Sequence, residues 1–255
     1  MDNVGEFPHL VFVVSLVVLW LAAQTGAYCH GRWLGLEQDV HEDLGIILTA
    51  ALTLLGLIIG FTFSMAVSRY DQRKDYEEAE ANAIGTEYLR VGLLPAGDAA
   101  RARELLRSYL DQRVLFYTAR NARQLDQVNA ATAQLQTELW SAVQAPAAEH
   151  PTTTVALAVW GMNDVLNSQG YTQAAWWNRI PAAAWCLMGA VAVCCNLLLG
   201  FSTRASKGKG RLFFILPLIV SIAFFLIADI DSPRRGVIQV LPVNLISIDQ
   251  SLRAP

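Results

Sequence analysis

Thr53, Leu57 and Phe61 stand four residues apart within an uncharged apolar run from Ile46 to Val67. Steps of four keep side chains on one face of a helix. If several copies of that face surrounded an axis, Leu57 and Phe61 would form an apolar ring, a constriction that gates by dewetting. The hydroxyls of Thr49, Thr53 and Ser64 would add dipoles beside it. Just past the run, Arg69 and Arg73 lie one turn apart. A ring of such guanidinium groups focuses a field that concentrates anions, with Asp71 and Asp75 partly cancelling it. Plainer uses exist for the same residues. The Thr53, Leu57 and Phe61 face also suits ordinary bundle contacts, and the arginines suit phosphate headgroups or intersubunit salt bridges. Gly56 and Gly60 have the spacing that lets helices pack closely.

Covalent chemistry finds little support. The chain has no Gly-x-Gly-x-x-Gly, no phosphate-binding loop, no His-Glu-x-x-His and no Gly-x-Ser-x-Gly. Its cysteines (Cys29, Cys186, Cys194, Cys195) and histidines (His9, His30, His41, His150) lack metal-site spacing, and the cysteines read as small buried apolar side chains. An enzyme would need polar convergence around Asn163, Asp164 and Asn167, which reads instead as a helix surface or intersubunit network. No catalytic residue, metal or cofactor is expected. The apolar runs contain no carboxylate, and their only amides are Asn196 and Gln24. That weighs against a cation-coupled transporter and leaves a passive pore or a structural membrane protein. A net charge of −3 implies no nucleic-acid partner.

The elements that must position these residues are membrane helices. Of 255 residues, 54% are hydrophobic and 16% charged, below the roughly 25% charged of soluble domains. Four apolar stretches, 10–28, 46–67, 182–200 and 212–228, approach or reach the length of a transmembrane helix. The first is preceded by Asp2 and Glu6 and no Lys or Arg, so it reads as a retained helix and not a cleaved signal. Residues 1–67 thus hold helices one and two, and 181–228 helices three and four. Residues 68–180 read as a helical soluble domain. Neither Pro nor Gly interrupts Phe61 to Ile84, so helix two should continue past the membrane, with a break at Leu94-Pro95. Amphipathic helices follow over 98–121 and 123–144, then a turn bracketed by Pro146 and Pro151, and a helix over 153–172 ending near Gly170. The tail, 229–255, carries enough apolar residues to pack on the soluble domain or a neighbouring subunit. Near-membrane basic residues number six on the side of 68–180 and five on the other, among them Arg204, Lys207, Lys209 and Arg211. The charge count therefore does not orient the chain.

Several motifs carry a resemblance. Leu54 to Arg73, Glu78 to Arg90 with Leu93-Leu94-Pro95, Asn163-Asp164-Val165, Arg179-Ile180-Pro181 and Asp229 to Gly236 resemble a bacterial family of bestrophin-like membrane proteins. The likeness covers residues 44 to about 240. It implies an all-α membrane protein with four transmembrane helices and a helical cytoplasmic domain, in the bacterial inner membrane, with both termini and residues 68–180 cytoplasmic. It further implies a homopentamer in contact with lipid, passing small anions such as chloride through a neck on helix two. The Gly60-Phe61 pair ahead of Arg69-Tyr70 carries that neck onto Thr53, Leu57 and Phe61. Thr53 departs from the larger apolar residue usual there, which would widen or wet its ring. The calcium-binding acidic cluster of animal bestrophins finds only a thin echo in Asp229 and Asp231, so calcium gating is not implied. The alternative is a non-conducting scaffold or sensor that binds a protein or small ligand.

Overall fold

Helices account for every regular element among the residues that the computed structural model describes, 7–33, 38–202 and 214–253. The basic segment 204–211, the start of the fourth apolar stretch and the side chain of Trp33 lie outside the described residues. Helix α1 spans Pro8–Trp33, opening on a proline whose fixed φ suits a first helical position. Helix α2, Gln38–Arg90, runs 53 residues without a break, as expected where strong helix formers follow a Pro-free and Gly-free stretch. A 3₁₀ turn over Val91–Leu93 ends it, and Leu94 turns extended (φ −77°, ψ 163°) because Pro95 disfavours helix at the residue before it.

Helix α3 spans Ala96–Thr118 and α4 spans Ala122–Glu149, its first turn capped by the Asn121 side chain accepting from the Gln124 N–H at 2.8 Å. Pro146 lies inside α4 and does not open the turn expected there. Near a C-terminus a proline removes a single hydrogen bond, and its carbonyl still accepts from the His150 N–H at 2.8 Å. Helix α5, Thr153–Trp177, is capped by Thr152 and runs through Gly170. Burial of Thr172, Ala175 and Trp176 offsets the glycine's cost of about 1 kcal/mol. Helices α6, Ala182–Ser202, α7, Ile215–Asp231, and α8, Val243–Arg253, complete the order.

The described residues fall into two compact units. The first comprises residues up to Ser68 with Arg179–Gln239, and the second Arg69–Asn178 with the chain from Val240. Among the described residues, three helices are long and apolar enough to cross a membrane: Pro8–Cys29, Asp43–Leu93, whose uncharged run is 46–67, and the one within Thr153–Ser202. Helix α7 has 17 residues.

In the first unit α1 packs against α6 and α7. Gly26 and Gly200 let α1 and α6 touch through their backbones. A methyl group added at Gly26 would meet the Leu197 carbonyl, and one at Gly200 the Ala23 carbonyl. His9 and Phe12 pack on Phe225 of α7, with ring centroids 5.4 and 6.2 Å apart. All four cysteines are free, and only Cys195 is buried. Cys29, Cys186 and Cys194 are exposed, which corrects the buried reading; their helices are apolar on the outside as well.

The second unit has its own core, built from Ile84, Leu106, Leu110, Leu139, Met162 and Leu245 with their neighbours. Charged groups are buried inside it. Glu80 pairs with Arg113, both side chains fully buried, and also accepts from Thr172 Oγ1 at 3.0 Å. The Arg113 guanidinium lies 4.5 Å from the Phe116 ring. Burial, and after it the Glu80 charge, pushes the Tyr109 and Tyr117 hydroxyls above their ordinary range. Glu77 ties the end of the chain to this unit. Its carboxylate accepts from the Leu245 N–H at 2.9 Å and from Asn244 Nδ2 at 2.6 Å, at the start of α8.

Candidate functional site

At 3.6 residues per turn, Thr49, Thr53, Gly56, Leu57, Gly60, Phe61 and Ser64 share an arc of about 140° on α2. All are exposed, Leu57 by 54% and Phe61 by 66%. Between residues 43 and 68 only Leu55, Thr62 and Ala66 are buried, and they lie together on the opposite side. The face selected by four-residue spacing is thus the one the chain leaves open. Added methyl groups at Gly56 or Gly60 would meet nothing within 4 Å, so neither glycine serves a helix contact among the described residues. The close-packing glycines are Gly26 and Gly200.

Hydroxyl orientation changes what the arc can offer. Thr49 Oγ1 donates to the Gly45 carbonyl at 2.8 Å, and Thr53 Oγ1 to the Thr49 carbonyl at 2.9 Å. With their hydrogens spent on the preceding turn, these hydroxyls turn lone pairs outward. An anion there meets no donor unless the side chain rotates. The dipoles that Thr49 and Thr53 present along the arc are those of acceptors.

Arg69 is half-buried, and Arg73 is fully buried. Arg73 Nε donates to the Ala175 carbonyl and Nη2 to the Asn178 carbonyl, each at 3.2 Å. It satisfies carbonyls left open at the C-terminal end of α5, where a cation is favoured. This places Arg73 inside the second unit, with no exposed surface to offer the anion-concentrating ring that its spacing suggests.

Asp229 and Asp231 hold turns. The Asp229 carboxylate accepts from the Val237 and Ile238 N–H groups at 2.7 and 2.9 Å, and a side chain at Gly236 would strike the Asp229 carbonyl. Asp231 accepts from the Ile180 N–H at 3.2 and 3.3 Å, while Arg179 Nη1 donates to the Asp231 carbonyl at 3.0 Å. In the membrane helix α6, Asn196 Nδ2 donates to the Ala192 carbonyl of its own helix at 2.8 Å. Asn163 and Asn167 are exposed, and Asp164 lies 3.9 Å from Arg90. Among the described residues, no group of three or more His, Cys, Asp or Glu side chains could hold a metal ion.

The buried Glu80–Arg113 pair escaped the sequence reading. Its trace was there: Arg113 interrupts the otherwise apolar stripe of Leu106, Tyr109, Leu110 and Phe116, and a charge on a core face needs a partner.

Glu87 is buried where α2 meets α5, its carboxylate against the backbone of Gly161, with Arg90 and Asp164 the charged groups beside it. Neither carboxylate oxygen has a hydrogen-bond partner among the described residues. Burial pushes Glu87 from 4.5 up to about 8, against the pull of Arg90 and with a smaller push from Asp164. The folded chain therefore holds a proton that the unfolded chain releases near pH 4.5, and stability declines as pH rises from there toward about 8. The second unit should melt at progressively lower temperature across that window, and Glu87→Gln should flatten the profile. Parallel wild-type and variant profiles would mean that Glu87 titrates normally.

A family model described as the bestrophin-like domain matches residues 7–245. The solved structure of a bacterial bestrophin homolog from Klebsiella pneumoniae, phased on zinc, superposes with a TM-score of 0.63 at 14% identity, covering 95% of this chain and 96% of that one. Two single-substitution variants of that homolog give TM-scores of 0.65 and 0.64, each at 14% identity over 94% of this chain, and over 95% and 97% of theirs. No curated protein matches the sequence.

Proposed function

The chain belongs to the bestrophin-like family, and on that footing we propose that it forms a homo-oligomeric channel passing small anions such as chloride. One observation carries the reading: α2 is almost bare from residue 43 to 68, and its exposed arc bears Thr53, Leu57 and Phe61. An apolar helix with so few neighbours in its own chain takes them from other copies, and a ring of α2 helices is the arrangement that gives each copy the same environment. Five copies, a bacterial inner-membrane location and cytoplasmic placement of the termini and residues 68–180 follow from the family resemblance. With α7 as a fourth crossing, its 17 residues are accommodated by flanking polar side chains reaching the interfaces. The pore works by partial dehydration. An ion passing Phe61 and Leu57 loses water that the side chains do not replace, so weakly hydrated anions cross most easily.

Phe61→Ala tests this. Removing the ring's bulk should raise anion flux into proteoliposomes severalfold and weaken selection among anions of different hydration. If Phe61 only packs against a neighbour, the variant assembles poorly and gains no flux. Intact assembly with no anion or cation flux in either protein would favour a non-conducting scaffold.

A further inference from the structure

We propose that a groove between α1, α6 and α7 holds one acyl chain of a glycerophospholipid, with the lipid phosphate against Arg179. The cavity measures about 450 Å³, within the roughly 300–1,000 Å³ of pockets that retain small ligands. Val11, Val14 and Val18 of α1, Trp185 and Val193 of α6 and Phe224 of α7 form its walls. Along α6 it follows Ala182 to Val193, about 16 Å at 1.5 Å per residue. This is a mostly apolar slot, and an apolar slot between membrane helices takes hydrocarbon and not water.

Its charged groups gather at one end. Arg179 and Asp231 line the cavity there. The Asp231 carboxylate is occupied by the Ile180 N–H, and Arg179 Nη1 by the Asp231 carbonyl. A guanidinium carries five donors in a fork that fits phosphate oxygens, so Arg179 can serve a headgroup alongside its partners within the chain. A long apolar slot with a guanidinium beside a carboxylate at one end fits the shape of a phospholipid and offers its phosphate one cation.

Gly189 supports the assignment. It lines the cavity, yet an added methyl group would meet nothing within 4 Å. On the same helix, Gly200 admits the backbone of α1. Gly189 admits no part of the protein, and its missing side chain leaves room in the slot. Lipid tails are as apolar as the groove wall, so retention rests on enclosure and the headgroup contact and not on a hydrophobic driving force. A lipid held in this way should outlast the surrounding annular lipids.

Native mass spectrometry of the full-length protein, after exchange into fresh detergent with added phosphatidylglycerol or phosphatidylethanolamine, tests the proposal. Wild type should retain one phospholipid per subunit. Gly189→Leu should lose it while melting at the same or a higher temperature, since leucine enters open space and favours helix. Arg179→Gln should weaken retention about tenfold, the cost of one charge-assisted contact. A wild type that keeps no phospholipid, or detergent only, overturns the proposal, as does a Gly189→Leu protein that keeps the same number. Equal retention by Arg179→Gln overturns the headgroup contact. If Gly189→Leu fails to fold, Cys186 reports instead. It is exposed and lines the groove, so added phospholipid should slow its alkylation by a membrane-permeant maleimide, and an unchanged rate overturns the proposal. None of these measurements depends on whether the protein conducts.

Discussion

Replacing Glu80 with alanine should destabilise the second unit by about 3–5 kcal/mol, because it strands a fully buried guanidinium. Arg113 has no exposed surface, so water cannot take the place of the lost carboxylate. Thr172 loses its acceptor in the same step. For a unit of this size the loss should lower the melting temperature by ~10 °C or more, read from the soluble helices of the detergent-purified protein. Combining Glu80→Leu with Arg113→Met should recover most of the stability, since a buried pair replaced by apolar groups of similar volume is often neutral or better. A shift of less than ~1 kcal/mol for Glu80→Ala would put the pair in the class of solvated surface bridges.

Gly200→Val should act on the other unit by a different route. The nearest atoms to any added side chain are backbone atoms of Ala23 and Ala27, and backbone cannot rotate aside as a side chain can. Helices α1 and α6 must separate, at a cost of about 3 kcal/mol, the upper end of overpacking penalties. Thermal aggregation in detergent and yield from membranes should both worsen. Gly189→Val, eleven residues away on the same helix, should leave both nearly unchanged because its surroundings are open. Equal effects at the two positions would mean that helix propensity alone is being measured.

Much of this architecture is legible in the sequence, and the exceptions share physical causes. The helical class, three of the four apolar spans and the unbroken run of α2 past residue 67 follow from local composition. The exposed arc of Thr53, Leu57 and Phe61 follows from periodicity, because which residues share a helix face does not depend on what the helix meets. The family likeness was carried by motifs spread over most of the chain. What local pattern does not encode is partnership at long range. Arg73 looks like a surface cation until α5, some hundred residues later, brings it the Ala175 and Asn178 carbonyls. Pro146 looks like a helix end until its place in the last turn of α4 makes it cheap to keep.

The closing of the second unit by α8 has a consequence for synthesis. Its helices from Arg69 to Asn178 leave the ribosome first, yet Val240 and Leu245, both core residues, follow only after residues 179–239 have been made. Glu77 then waits for an N–H that lies 168 residues downstream. At ordinary translation rates of roughly 5–20 residues per second, several seconds pass with that core unsealed. During that time α6 and α7 are being made. The last described helix therefore acts as a latch on order of events: the core of the second unit is sealed only after residues 179–239 have been made.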